Sequence, residues 1–405
     1  MSFLKRILRK LYDLKSSKPY RLANLRILTS EMMQPRRPVE EAGPEIQQAS
    51  SVHAQAAMDW LCAAQDTNDD GGVAALYSLG NGWAESYPET TGYIIPTFFK
   101  YHAYTNNEEY RQRAIRMADW EISVQLDNGA FHTGYSRSRS GEPCVFNTGQ
   151  IIFGLVAAFV ETSNIEYLKA AERAGDWLIS IQGEDGVWEE HTYRGIPHTY
   201  STRVSWALLE LNEVLPKKSY ETVAIQNLDW ALGNQLENGW FDKASFDGKL
   251  SPFTHTIAYV IEGLLGSGML LDNQKMMDAA FKTAESLLSA FDRSKYMPGV
   301  FDENWHGKGN YSCLTGDAQI SIIWQQIYQL TNENRYLDAA VEMNNHLKSL
   351  QNLSSSNPGI RGGIRGSYPI WGGYIPYSYL NWAAKFFVDA LLLESKLLRT
   401  EGIGG

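Results

Sequence analysis

An all-α chain closed as a six-hairpin (α/α)6 toroid is the fold class that the sequence predicts. Three observations predict it: a sixfold repeat, two alternating kinds of helical pattern, and an asymmetry of loop length. The repeat is visible in MDWLCAAQDTNDDGG, ADWEISVQLDNGAF, GDWLISIQGEDGVW and LDWALGNQLENGWF. These segments set Trp60, Trp120, Trp177 and Trp230 in equivalent places, each followed five positions later by Gln65, Gln125, Gln182 and Gln235. Two degenerate copies complete the six: ESLLSAFDRSKYMPGVF, with Phe291 in the glutamine slot, and NHLKSLQNLSSSNPGI, with Gln351.

Each unit pairs two helical patterns of different character. EEYRQRAIRMADWEISVQ and IEYLKAAERAGDWLISIQ carry charge on one face and apolar residues at helical spacing on the other, the mark of a half-exposed helix. TGQIIFGLVAAFVET, THTIAYVIEGLLG and TGDAQISIIWQQIYQL are nearly free of charge and are expected to be buried on most sides. Outer and inner helices therefore alternate, and six pairs close into a double ring; an open solenoid of helical hairpins is the alternative. Inner helices pass to outer ones through short polar turns, TNNEEY, TSNIEY and TNENRY, whereas the return stretches are long. All the long loops then share one rim with the N-termini of the inner helices. Unpaired N–H groups there favour anions, so a cleft suited to carboxylated sugars is expected on that rim.

In chain order, MSFLKRILRKLYDLKSSK sets Phe3, Leu4, Ile7, Leu8, Leu11 and Leu14 at helical spacing, with Lys5, Arg6, Arg9 and Lys10 around them. This predicts a short basic amphipathic helix over 1–15, able to lie on an anionic membrane surface or to pack on the body of the protein. Residues 16–48, with Pro19, Pro35, Pro38 and Pro44, read as an irregular connection. The toroid is expected over 49–398, with a tail over 399–405. Thr90, Thr148, Ser201, Thr254 and Thr315 stand at the expected starts of inner helices and are read as N-caps.

Composition narrows the function. A net charge of −10 over 405 residues argues against a nucleic-acid partner. With 44% hydrophobic residues the chain can bury a large core, and its 12 Trp, 22 Tyr and 15 Phe provide flat faces for sugar rings as well as core filler. Cys62, Cys144 and Cys313 are far apart and odd in number, which predicts neither a disulfide framework nor a zinc site and fits a reducing compartment. The sequence shows no apolar run of membrane-spanning length and no secretory signal, so a cytoplasmic protein is expected, peripheral at the inner membrane face if 1–15 binds lipid. No HExxH, EF-hand or phosphate-binding loop is present, and DTNDDGG reads as a turn rather than a calcium loop; no metal or cofactor is expected.

The rim loops concentrate His, Tyr, Arg and carboxylates. His198, Tyr200 and Arg203 stand together at the third inner helix, and His255 and Tyr259 lie one turn apart on one face of the fourth. Proton abstraction beside a carboxylate needs such a set: a neutral His or Tyr as base, a second as acid, and Arg to neutralise the carboxylate so that the adjacent C–H becomes acidic. A competing chemistry rests on Glu85 and Glu89 in WAESYPET, Glu142, and Asp317 in TGDAQ, since two opposed acids suffice for glycoside hydrolysis. The last rim loop gathers Arg361, Arg365, Tyr368, Trp371, Tyr374, Tyr377 and Tyr379, which suits stacking on pyranose rings and bidentate binding of carboxylates, or else a plug across the mouth. Asn147, Gln150, Asn310 and Tyr311 complete the expected substrate-binding set. Cys313 has no companion that marks it as a nucleophile, and burial as a small apolar residue is the commoner fate.

The segments FNTGQIIFGLVAAF, GIPHTYSTRVSWALLEL and GGIRGSYPIWGGYIPYSYLNWAAKFFVDALLLE, with the repeated DWLxSxQ-to-Gly turns, resemble a family of bacterial proteins associated with surface-polysaccharide production. The resemblance covers roughly residues 50–396. More distantly the chain is similar to the six-hairpin toroids of glucuronyl C5-epimerases, uronate lyases and unsaturated-glucuronyl hydrolases, which implies carbohydrate chemistry. It departs from the lyase pattern of an adjacent Asn-His pair. The leading expectation is an enzyme acting on a uronate-containing polysaccharide, oligosaccharide or glycolipid by lyase or C5-epimerase proton abstraction. A glycoside hydrolase with a carboxylate pair and a non-catalytic glycan-binding or assembly protein are the alternatives. An isoprenoid cyclase is disfavoured by the absence of a DxDD motif.

Overall fold

The periodicities become twelve helices among residues 49–135 and 141–400, which a computed structural model describes. Segments 1–15 and 16–48, expected to be the basic helix and the connection, lie outside the described residues. In chain order the helices are α1 (Ser50–Gln65), α2 (Pro88–Thr105), α3 (Glu108–Val124), α4 (Val145–Thr162), α5 (Ile165–Ser180) and α6 (Thr202–Val214), then α7 (Lys218–Leu232), α8 (Thr254–Leu270), α9 (Gln274–Ser294), α10 (Leu314–Thr331), α11 (Asn334–Leu350) and α12 (Asn381–Thr400). Odd-numbered helices are outer and even-numbered ones inner. The outer α9 buries one stripe, Met276, Ala279, Ala280, Thr283, Ala284, Leu287 and Leu288, whereas α8 buries every residue from Thr254 to Leu265.

Closure decides between toroid and solenoid. Each inner helix packs on the next, α12 returns to pack on α2, and α1 pairs with α12, so the first and last helices form the sixth hairpin and no open end is left. Inner helices approach closely where side chains vanish: a Cβ on Gly154 of α4 would stand 2.2 Å from the Gly92 carbonyl oxygen of α2. By length and composition α4 could cross a bilayer, but it is enclosed between α2 and α6.

The repeated glutamine has a physical task at the joints of the outer ring. Gln125 Nε2 donates to Gly129 O at 2.8 Å and to Ala170 O of the next outer helix at 2.9 Å. Gln65 reaches Gly71 O and Arg113 O, Gln182 reaches Val223 O, and Gln235 reaches Ala279 O in the same manner. Gln351 closes the circle on His53 O of α1. The glycine that follows sits at positive φ directly on the neighbouring helix; at Gly129, φ is 91° and a Cβ would lie 2.5 Å from Arg173 O, which only glycine avoids. At Phe291 the amide is missing, and the phenyl ring packs instead against Trp324.

The N-cap reading of the inner-helix threonines does not hold. The cap positions are Tyr87, Cys144, Ser201, Phe253 and Cys313, none of which bonds a helix N–H through its side chain. The threonines lie just inside and clamp incoming loops: Thr148 accepts Phe131 N at 2.9 Å, and Thr254 donates to Pro298 O at 3.1 Å. Side-chain caps occur on outer helices, at Asn107, Asn164 and Asn273.

Loops too polar for helix form short antiparallel strands on the rim. β1 (Leu76–Ser78) lies between β2 (Gly82–Trp83) and β7 (Ser378–Leu380), while β3 (Val300–Phe301) pairs with β4 (Gly307–Lys308) and β5 (Ser312–Cys313) with β6 (Ser367–Tyr368). The β1–β7 pairing, Tyr77 opposite Tyr379, ties the last loop to the first.

Candidate active site

WAESYPET places its chemistry through a helix start. Pro88 opens α2 with its missing N–H at a position that needs none, Tyr87 precedes it in extended backbone, and Glu89 falls in the first turn. The Tyr87 hydroxyl donates to Glu89 Oε2 at 2.7 Å. Glu89 is half-buried, enclosed by protein on most sides. Burial pushes its carboxyl up to about 7, against the opposing effects of the Tyr87 hydrogen bond and the Arg203 charge.

Five tyrosines, Tyr87, Tyr93, Tyr200, Tyr259 and Tyr374, feel that carboxylate. Burial above all, with the Glu89 charge adding to it, holds each well above the usual phenol value. The rim therefore holds hydroxyls that stay protonated, those of Tyr93, Tyr200, Tyr259 and Tyr374 on buried residues and that of Tyr87 on a half-buried one. Its apolar wall is Phe146, whose ring lies 5.3 Å from Tyr200 and 5.0 Å from Tyr259, and Phe253, 5.0 Å from Tyr374. Phe146 and Phe253 are half-buried, so part of each face meets the cleft.

The histidines divide. Both ring nitrogens of His198 face backbone carbonyls, Ser245 O at 3.0 Å and Tyr193 O at 2.8 Å, while its ring stacks on Tyr200. That geometry uses up the imidazole in bridging two loops and corrects its expected role in proton transfer. His255 is different. Its Nδ1 donates to Gln319 Oε1 at 2.6 Å, its ring touches Tyr259 and Tyr374, and burial pushes its pKa down to about 3, so the imidazole is neutral.

Arg203 lies on the toroid axis, committed to the protein. It forms a fully buried ion pair with Glu262 and donates from Nε to Gln150 Oε1 at 2.7 Å. Gln319 Nε2 donates to the same Glu262 oxygen at 3.1 Å, which extends the chain to His255. The rings of Tyr93, Phe153, Trp206, Tyr259 and Phe386 surround the guanidinium at 5.0 to 6.0 Å. Arg203 and Gln150 thus build a polar belt across the bore, and the expectation that they bind a sugar carboxylate at the mouth is corrected by these bonds.

Asp317 is fully buried, neither oxygen has a hydrogen-bond partner, and burial alone lifts its pKa far above the usual carboxylate range. The Asp317 carboxyl makes no hydrogen bond to Glu89 or to any other described residue. Glu85 is half-buried beside the β1–β2 hairpin, and Glu142 is exposed. Asn147 stands at the cleft edge, bonded to His132 O and to Tyr87. Asn310 is exposed on its loop, while Tyr311 is wedged against Gly299 and Gly373.

In the last loop the Tyr374 ring lies 5.4 Å from that of His255, and Trp371 and Tyr377 pack half-buried on the core beside it. Arg361 points away, exposed on the outer wall next to Ser51 and Gln55 of α1. Arg365 bonds Leu350 O at the end of α11 at 2.7 Å. Neither arginine reaches the cleft, because the loop that bears them crosses from α11 over α1 before it turns inward. Cys313 is fully buried and burial pushes its thiol up, the opposite of an activated nucleophile. Among the described residues no group of three His, Cys, Asp or Glu is placed to hold a metal ion.

Reading the sequence missed Tyr87, Tyr93 and Glu262. A signal for Glu262 exists: it is the lone acid in THTIAYVIEGLLG, and a charge in an otherwise apolar inner helix must find a partner on the axis.

No family model matches the chain, and no curated protein does. Solved structures do. The chain is similar to an unsaturated glucuronyl hydrolase from Bacillus sp. GL1, responsible for the degradation of glycosaminoglycan, with 18% identity over 87% of this chain and 97% of that one and a TM-score of 0.67. The fold is an (α/α)6 toroid. An unsaturated glucuronyl hydrolase specific for heparin matches over 88% of this chain and 99% of that one, with 14% identity and a TM-score of 0.69. A cellobiose 2-epimerase from Spirochaeta thermophila matches over 89% and 99%, with 14% identity and a TM-score of 0.69. At such identities the likeness carries the fold and no residue role.

Proposed function

We propose that the protein is a carbohydrate-active enzyme that hydrolyses its saccharide at the long-loop rim, with Glu89 as the group that moves the proton. One observation carries this reading: a single carboxyl, set among protonated tyrosines, with its pKa pushed up to about 7. Near neutral pH both of its forms are populated. It can give a proton to the departing oxygen and, once ionised, take one from the attacking water. The half-buried Phe146 and Phe253 offer faces to the sugar ring. The likeness to glucuronyl hydrolases supports a saccharide substrate, and the resemblance to surface-polysaccharide proteins supports an acidic bacterial glycan. Lyase chemistry is less favoured, because Arg203 is held by Glu262 and does not neutralise a substrate carboxylate.

The test is turnover of unsaturated glucuronyl oligosaccharides and of cellobiose. New reducing ends are expected, and Glu89→Gln lowers the rate by about 10²- to 10⁴-fold with unchanged circular dichroism. Full turnover by that variant overturns the reading. A second reading, epimerisation, rests on the neutral His255 against Tyr259. It predicts solvent deuterium in the sugar, no new reducing end, and loss of exchange in His255→Asn.

A further inference from the structure

The opposite rim, where the inner helices end in short turns, holds a cavity of about 770 Å³ that the chemistry above does not use. An adjoining lobe of about 430 Å³ shares Lys100, Arg203, Trp206 and Lys385 with it. The belt of Arg203 and Glu262 is its floor, so the two rims are separated along the bore.

The lining has three kinds of group. The first is cationic. Lys385 and Arg203 are matched by Asp389 and Glu262. Lys100, exposed on α2, makes no ion pair among the described residues, and Arg399 on α12 lies over the Tyr104 ring and donates to its hydroxyl at 3.4 Å. The carboxylates of Asp389 and Glu210 feel the Lys100 charge, but the larger cavity is lined by five cations, Lys100, Arg203, Lys385, Lys396 and Arg399, against two carboxylates, Glu262 and Asp389, so an anion entering there meets an excess of positive charge. Cations at helix C-termini commonly complement the macrodipole. That role needs no cavity, and here the two side chains border one. The second kind is amide: Gln326 and Gln329, one turn apart on α10, bond no described residue and can serve hydroxyls. The third is Trp206, half-buried in the lining of both lobes: Gly266 lies against its indole, where a Cβ would stand 2.4 Å away, Arg203 and Phe153 pack on the ring, and the part left open borders the cavity. A cation, free amides and an indole face in one pocket match an anionic sugar.

We propose that this second cavity binds a small anionic sugar, phosphorylated or carboxylated, separately from the site at the long-loop rim. The proposal goes beyond the hydrolase reading and does not depend on it.

Titration calorimetry on the full chain at low salt tests it, with glucose 6-phosphate, glucuronate, inorganic phosphate and glucose as probes. Saturable binding of either anionic sugar is expected, at least about tenfold tighter than glucose. The double variant Lys100→Gln/Arg399→Gln weakens it by about tenfold or more, Gln326→Leu weakens the sugars without affecting phosphate, and Glu89→Gln leaves it intact. Preference between the two anionic sugars identifies the anion. Binding of none of the probes overturns the proposal, as does equal binding of glucose. Phosphate binding as tight as the sugar phosphate overturns the sugar part, and loss in Glu89→Gln without loss in the double variant assigns the binding to the other rim.

Discussion

The inner helices begin among Tyr87, Glu89, His255 and Tyr374 at one rim and end among Lys100, Lys396 and Arg399 at the other. Helix dipoles alone would make the first rim attractive to anions and the second to cations. The side chains invert this: a carboxyl occupies the N-terminal rim and cations the C-terminal one. About half a charge at a helix end is outweighed by whole charges on side chains. An anionic ligand is therefore better served where the helices end. The loops differ to match. Long loops roof the first rim and bury its acid, which raises the pKa of Glu89, while short turns leave the second rim open.

The sharpest way to break this division is to remove the belt between the rims. Arg203→Met leaves Glu262 buried without its partner and is expected to cost about 3–5 kcal/mol in urea denaturation. Arg203→Met/Glu262→Leu together is expected to recover most of it; equal losses in single and double variants would mean that the ion pair does not hold the belt.

A smaller effect distinguishes the roofed rim by pH. Glu89 has a folded pKa of about 7 against a reference value of 4.5, so the folded state holds the proton longer than the unfolded chain. Its ionisation thus costs nothing below about pH 4.5, costs progressively more between the two values, and keeps its full cost above about 7. Glu89→Gln is expected to be more stable than the parent by on the order of 3 kcal/mol at pH 8 and equal to it at pH 4, as chemical denaturation at the two pH values would measure. A stability difference independent of pH would contradict burial as the cause.

The smallest effect concerns the joints that both rims share. Gln125→Ala removes the two Nε2 hydrogen bonds to Gly129 O and Ala170 O and the exposed ones that its Oε1 accepts from Arg173, and about 1 kcal/mol of stability is expected to go with them. The glutamine-free joint at Phe291 provides the control: Phe291→Leu keeps the joint apolar and costs only its packing, so thermal unfolding of the two variants compares an amide clasp with an aromatic one.

Legibility followed locality. Trp60 to Gln65 and their echoes announced the six units because amphipathic period and turn glycines are written within a few residues. Glu89 was legible as an acid between aromatics in a loop, though nothing in WAESYPET says that Tyr259 and Tyr374 surround it. His198 and Arg361 misled, since composition placed them on the rim and only the loop paths turned one into a bridge and the other outward. Charges inside apolar helices, Glu262, Lys385 and Asp389, were an unread signal of a polar bore.

By itself, then, the order of residues determined the number of helices, which of them are inner, the end at which long loops gather, and the joints that turn hairpins into a ring, because each depends on neighbours a turn or two away. Only closure of the ring decided which charges meet. Glu89 beside Arg203, Arg203 on Glu262, and Lys100 at the mouth of a cavity with Arg399 join residues remote in the chain. Ionisation and pairing depend on distance through space and on exclusion of water, and neither is set until all six hairpins stand together.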